Sequence, residues 1–262
     1  MFNSENKFIS VIFVTSFLNF IIFAFAGPGH QIGLFHWQTG LLLIMKYTAL
    51  ISITLLAVIL VTTFAILYGK FDFNVKSKKM LKVAFVFPSI VLVFVLYWIN
   101  ALSKYPYIND ITTDFDNPPQ FTFAEELRNN EIGSSSITYD GSMKVQKGPF
   151  TGTLSELQKK HYPYVSNFIV NKSINELKKI IEISLLSNGM KISGYNKGNF
   201  TIEGREKSTF FGFTDDIAIR MIVIGGGRIL VDIRSKSRQG VSDLGENAKR
   251  IVKLKSSILS KN

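Results

Sequence analysis

The stretch Phe8–Ala26, FISVIFVTSFLNFIIFAFA, runs for 19 residues without a charge. As a helix it reaches about 28 Å, close to the hydrocarbon thickness of a bilayer. No other feature limits the fold so strongly, because such a run needs lipid or a large apolar core around it. Two more long apolar runs follow before residue 103, and a mixed, charged sequence comes after. That asymmetry excludes a single soluble globule for the 262 residues. Three buried core helices would need amphipathic partners, which the chain does not offer, so the runs are read as membrane spans.

The second run extends from about Gly40 to Tyr68. Lys46 near its start can snorkel to the interface, which leaves Tyr47–Tyr68 as the spanning core. The third is Val83 to about Leu102, with Tyr97 and Trp98 as interfacial anchors and Pro88 in its first turns. The first run has a rival reading as a signal peptide. Lys7 supplies a weak basic start and Ala24-Phe25-Ala26 a small-x-small cleavage pattern. It is long for a signal core, so a retained helix is expected.

Loop charge sets the expected orientation. Between spans two and three lie Lys70, Lys76, Lys78, Lys79 and Lys82 against one acid, Asp72, while the first loop has no basic residue before Lys46. Lysines of short loops stay cytoplasmic. The N-terminus is therefore expected inside and everything after Leu102 outside, which in a bacterium means an inner-membrane protein with a periplasmic domain. The first outer loop, GPGHQIGLFHWQTG, carries aromatics suited to the headgroup layer. His30 and His36 within it have no acidic neighbour, and no metal or haem role is expected of them.

Composition narrows the chemistry. With no cysteine, disulfides, thiolate nucleophiles and cysteine-bound zinc are excluded, and the chain has only three histidines. Residues 103–262 hold 23 Lys/Arg against 17 Asp/Glu. The basic residues do not cluster with aromatics, so a nucleic-acid partner is not expected. Ordinary solvated surface explains most of this excess, and an anionic lipid or polymer is the alternative. No phosphate loop, nucleophile elbow or metal triad is present, and no cofactor is expected.

The sequence divides into a membrane part (1–102, spans at about 8–26, 47–68 and 83–102), a loop-rich linker (103–160) and an α+β domain (161–262). The linker opens with SKYPYINDITTDFDNPPQ, rich in turn-forming residues. Its Asp110, Asp114 and Asp116 superficially suggest a calcium loop, but the Gly and terminal Glu of an EF-hand are missing. Residues 128–152 read as a long surface loop, and Thr153–Lys160 as a short helix.

From Tyr162 the pattern is regular. YPYVSNFIV reads as a strand, and Ser173 with Glu176 as a capping box opening a helix that stops at Asn188-Gly189. MKISGYN and FTIEGREKS flank the turn Lys197-Gly198-Asn199, and strands over about Thr214–Ile224 and Arg228–Arg238 meet at Gly225-Gly226-Gly227. Asp243 and Glu246 read as the cap of a last helix, with Lys249, Arg250, Lys253 and Lys255 toward water. The order strand, helix, four strands, helix predicts an antiparallel sheet with two helices on one face. That is an α+β domain analogous to a helix-grip arrangement.

Several segments carry a resemblance. They are Asn109–Asp114 with Pro118-Pro119; Phe211-Gly212-Phe213-Thr214-Asp215-Asp216 and Ile219-Arg220; Val231–Ser235 with Ser237-Arg238; and Ser242–Gly245 with Asn247, Ala248, Arg250 and Ile251. Together they span about residues 105–260 and resemble the bacterial membrane-protein family called domain of unknown function 1499. The match is poor over 128–160, whereas GPG and IGLF of the outer loop look like longer members with membrane spans. The resemblance implies a domain type and a membrane location, and no activity.

Along the last strand, Asp232, Arg234, Lys236 and Arg238 share one face, and Asp215, Asp216 and Arg220 lie on the strand before it. The preferred reading is a bracing network of Asp215, Asp216, Asp232, Asp243 and Asn247 with these arginines. The functional alternative makes Arg220, Arg234 and Arg238 a pocket for an anionic ligand such as a phosphate headgroup or a carboxylate. Catalysis by Asp215 and Asp216, as in a membrane-bound hydrolase or transferase, is disfavoured, because adjacent strand residues point to opposite faces. The chain therefore reads as a non-enzymatic binding or interaction module in a bilayer, with an anionic small molecule or an envelope protein as partner.

Overall fold

The computed structural model describes residues 4–71, 73–129, 131 and 133–261; Asp72 of the lysine-rich loop and Asn130 and Ile132 of the long surface loop lie outside the described residues. The chain forms two compact units, one of residues 1–100 with 209–212, the other of 101–208 with 213–262.

The first unit holds three helices long and apolar enough to cross a membrane. They are α1 (Ser4–Ala24), α3 (Met45–Leu67) and α4 (Val75–Lys104). The outer loop is not a plain connector. It contains a short helix α2 (Ala26–Gln31) and a π-helical turn, Thr39–Ile44, that runs directly into α3. The third span begins eight residues before the expected Val83, so Pro88 lies well inside α4 rather than in its first turns. Polar groups buried among these helices are partly paired: Asn19 Nδ2 donates to Ser52 Oγ at 2.8 Å and to the Thr48 carbonyl at 3.1 Å. Outward, valines, leucines and phenylalanines are exposed along all three helices, as lipid-facing surfaces require.

The second unit is α+β. Its elements are β1 (Asp110–Thr112), α5 (Phe123–Asn129), β2 (Lys144–Lys147), β3 (Phe150–Thr153), α6 (Leu154–His161), β4 (Phe168–Val170), α7 (Ile174–Ser187), β5 (Lys191–Asn196), β6 (Thr201–Lys207), β7 (Thr214–Gly225), β8 (Arg228–Ser237) and α8 (Glu246–Leu259). From β4 onward the order is strand, helix, four strands, helix, as the sequence predicts. The main sheet runs β5-β6-β7-β8, with β1 and β4 both antiparallel to β8 at successive places along it. Helices α7 and α8 cover one face, their Leu177, Ile181, Ala248, Ile251 and Leu254 meeting Ile217, Ile219, Val231 and Ile233 of the sheet.

Residues 103–160 are more than a linker. They supply β1, and strap segments over 113–129 and 133–139, with α5 in the first, cover the sheet face opposite α7 and α8. They also supply the β2–β3 hairpin and α6, where a long loop and a short helix are predicted. Local signals for these pieces are weak because the strands are three or four residues long. Their stability comes from docking, as when Gln158 of α6 donates to the Thr112 carbonyl (2.6 Å) and accepts from its amide (3.1 Å). A side-chain amide thus occupies the hydrogen-bonding sites that a neighbouring strand would take.

The box predicted for α7 forms between Ser173 and Glu176, and α6, predicted only as a short helix, has a second reciprocal box of Thr153 and Glu156. At α8 the expectation needs correction. The N-cap is Gly245, in the left-handed region after Leu244, which is left-handed too. Asp243 reaches past both to accept from the amides of Gly245 (2.8 Å) and Asn247 (2.9 Å).

Candidate functional site

The pairing of β7 with β8 sets Asp216 opposite Lys236, Ala218 opposite Arg234 and Arg220 opposite Asp232. Alternation then puts Asp216, Arg220, Asp232, Arg234, Lys236 and Arg238 on one face, beneath the strap, and Asp215 on the other, toward α8. A sheet face this rich in charge is normally solvated. Here the strap covers it, so each charge needs a partner of its own.

Arg234 lies at the centre, fully buried. Its Nε and Nη2 grip Asp110 in bidentate fashion (2.9 and 2.8 Å), while Nη1 reaches the Pro119 carbonyl (3.3 Å) and Nη2 the Ile137 carbonyl (2.7 Å). The rings of Phe121 and Tyr139 lie 4.9 and 5.4 Å from its guanidinium carbon, within cation–π range. Lys236 adds a third bond to Asp110 at 2.9 Å. Burial pulls the Lys236 ammonium below its ordinary value and Asp110 pulls it back up.

Asp216 forms the second node. Arg238 holds it with two bonds (2.9 and 2.7 Å) and Arg128 of α5 with one (2.8 Å). Arg128 also donates to the Lys236 and Ser135 carbonyls, and Arg238 to Glu131. Arg220 makes the third node, its Nη2 within 2.9 Å of Asp232, 3.1 Å of Asp114 and 2.7 Å of the Asn117 carbonyl. Its Nε is buried with no hydrogen-bond partner among the described residues. Beside these nodes, buried Glu203 of β6 accepts from the amides of Thr122, Phe123 and Ala124 at 2.6, 3.2 and 2.8 Å, capping α5 from the sheet face beneath it. Burial raises the Glu203 carboxyl, against the pull of those three donors.

On the helix face, Arg250 joins Asp215 (2.6 Å) to Glu206 (2.7 Å) and donates to Asn247 (2.6 Å) and Ser235 (3.2 Å). The sequence reading of Arg250 as water-facing is corrected: three residues after Asn247, it lies on the buried side of α8. Asn247 uses its whole amide, accepting from Ser235 Oγ and Arg250 and donating to the Asn109 carbonyl and Ser237 Oγ. Asp243 lies apart from the arginines of the strap face. Burial pushes its carboxyl up to about 6, against the two amides it accepts from, and nearby Asp215 adds to the rise.

The fold thus brings Arg220, Arg234 and Arg238 to one face but gives each its own carboxylate. It separates Asp215 from Asp216 by the thickness of the sheet. Sequence reasoning missed Asp110, Arg128, Glu131, Glu203 and Glu206 as partners. Asp110 belongs to a segment that reads locally as turns, and Glu203 lies 79 to 81 residues from the amides that it caps. No spacing rule reaches that far. Among the described residues no group of three or more His, Asp or Glu is placed to hold a metal ion.

Beside the strap a polar cleft of about 520 Å³ opens, walled by Phe115, Asp116, Gln120, Tyr139, Asp140 and Lys159 among others. Lys159 Nζ sits 4.6 Å from the Phe115 ring centre, and Asp140 accepts from the Ser142 amide and hydroxyl.

A family profile described as protein of unknown function (DUF1499) matches residues 110–258, more than half of the chain. The chain belongs to that family. No curated protein matches it.

Proposed function

We propose that this member of the DUF1499 family is a membrane-anchored interaction module rather than an enzyme. In this reading the N-terminus is cytoplasmic and the α+β unit stands on the outer, periplasmic side of a bacterial inner membrane. The observation that carries it is that each arginine of the network already bonds a carboxylate inside the fold, although Arg220 Nε has no partner among the described residues. Arg234, Arg238 and Arg250 each bond a carboxylate, and Asp216 accepts three charged bonds inside the fold. An anionic ligand at the arginines would have to displace Asp110, Asp216 or Asp232, and a general base at Asp216 would have to leave two guanidiniums. Orientation rests on the lysines between the second and third spans.

Recognition is assigned instead to the open polar cleft near Lys159 and Asp140, whose partner is a polar small molecule or an envelope protein. The test compares full-length protein purified from native membranes with its Lys159→Ala/Asp140→Ala and Asp216→Asn variants. The double variant is expected to lose copurifying lipid, metabolite or protein while amide exchange in β7 and β8 stays as in the parent. Hydrolase or transferase turnover that disappears in Asp216→Asn at unchanged amide protection would overturn the reading.

A further inference from the structure

The segment Thr209–Gly212, which joins β6 to β7, belongs to the first compact unit rather than to the sheet unit. Its surroundings explain two glycines of the outer loop, Gly27 and Gly40, which neither the membrane spans nor the charge network accounts for. A Cβ at Gly27 would stand 2.2 Å from the Phe210 carbonyl oxygen, so the backbone of α2 and this tip meet with no room for a side chain. At Gly40, in the π-helical turn, a Cβ would stand 2.4 Å from the Ala26 carbonyl oxygen and 3.1 Å from the Phe211 ring. Between them Gln31 donates from one amide nitrogen to two consecutive tip carbonyls, Thr209 at 2.9 Å and Phe210 at 2.7 Å.

Aromatic packing completes the contact. The Phe210 ring lies 5.8 Å from Phe94 of α4 and 5.1 Å, edge-on, from Phe211, which is 2% exposed. Gly212 is left-handed at φ +69, and a Cβ there would stand 2.8 Å from Gln31 Cγ. Two glycine clearances, a side-chain amide aimed at main-chain carbonyls and an aromatic pair are features of a peptide-recognition site.

We propose that Gly27, Gln31 and Gly40 form an intramolecular docking site that takes the Thr209–Gly212 tip, reading its backbone through Gln31 and its two phenylalanines through Phe94 and the π turn. The site's size is set by glycine: any larger residue at 27 removes the space that the Phe210 carbonyl occupies.

The absence of cysteine makes a clean test possible in the full chain. A Gln31→Cys/Gly212→Cys pair places one sulfur near the present Gln31 Cγ, within disulfide reach of the second cysteine. Mild oxidation in native membranes is expected to cross-link most of this pair. Ile32→Cys/Gly212→Cys, whose residue 32 is 67% exposed, is the control and is expected to give at least fivefold less product. Adding Gly27→Leu to the first pair should bring its yield down to that control. As a milder measurement, Gln31→Ala should speed amide exchange at residues 209–213 by about tenfold. Equal yields from the two pairs, or a yield that Gly27→Leu leaves untouched, would overturn the proposal. So would unchanged exchange in Gln31→Ala.

Discussion

At the scale of single residues, the ionisation of buried Asp243 couples the fold to pH. The unfolded chain releases that proton near the ordinary Asp value of about 4, and the folded form holds it up to about 6. The carboxyl therefore supports the fold fully below about pH 4 and loses that support as pH climbs through 6. Amide exchange in α8 should accelerate between pH 5 and pH 7.5, after correction for intrinsic rates. Asp243→Asn, which cannot ionise, should flatten the trend. An unchanged trend in the variant would show that the titrating group lies elsewhere. Asp243 also illustrates how far local sequence goes. Its role at the start of α8 is legible from the pattern, but its reach past two left-handed residues is not, since Leu244 is a poor candidate for that conformation.

At the scale of elements, α5 shows how a seven-residue helix persists when isolated helices of that length do not. Glu203 satisfies three of its first amides, Arg128 ties its last turn to Asp216, and the Phe123 ring lies over Gly194. Glu203→Gln removes the charge from the cap, and exchange across Phe123–Asn129 should rise by about tenfold, the equivalent of about 1.4 kcal/mol. Gly194→Ala should do the same from the other side, because its Cβ would stand 2.5 Å from the Phe123 ring. Exchange unchanged in both variants would mean that α5 is held by other contacts. The sequence shows β5 to β8 and the capping boxes of α7 because alternation and capping are local signals. It hides α5 and β1 because their partners are distant in the chain, and the β2–β3 hairpin because its strands are only four residues long.

For the whole molecule, the sequence predicts both the three apolar helices and the α+β unit, and its lysine distribution predicts which way they face. Cysteine-free protein allows that orientation to be read with single substitutions and a membrane-impermeant maleimide on intact cells. Ser136→Cys should label from outside, and Lys79→Cys only after permeabilisation; the reverse pattern would invert the topology. The candidate site was legible as a set of charged residues on two strands, including the divergence of Asp215 from Asp216. Its closure was not, because the strap that covers it and the carboxylates that neutralise it come from the stretch read as linker. If these charges brace the fold, Asp110 and Arg234 are energetically coupled. A double-mutant cycle on Asp110→Asn and Arg234→Met, read from amide exchange along β8 in the full-length protein, tests this most directly. Each single change should cost about 3–5 kcal/mol by leaving a buried charge unpaired. The pair together should cost at least about 2 kcal/mol less than the sum. Additive costs in a protein that stays folded would mean that Asp110 and Arg234 do not brace the sheet together.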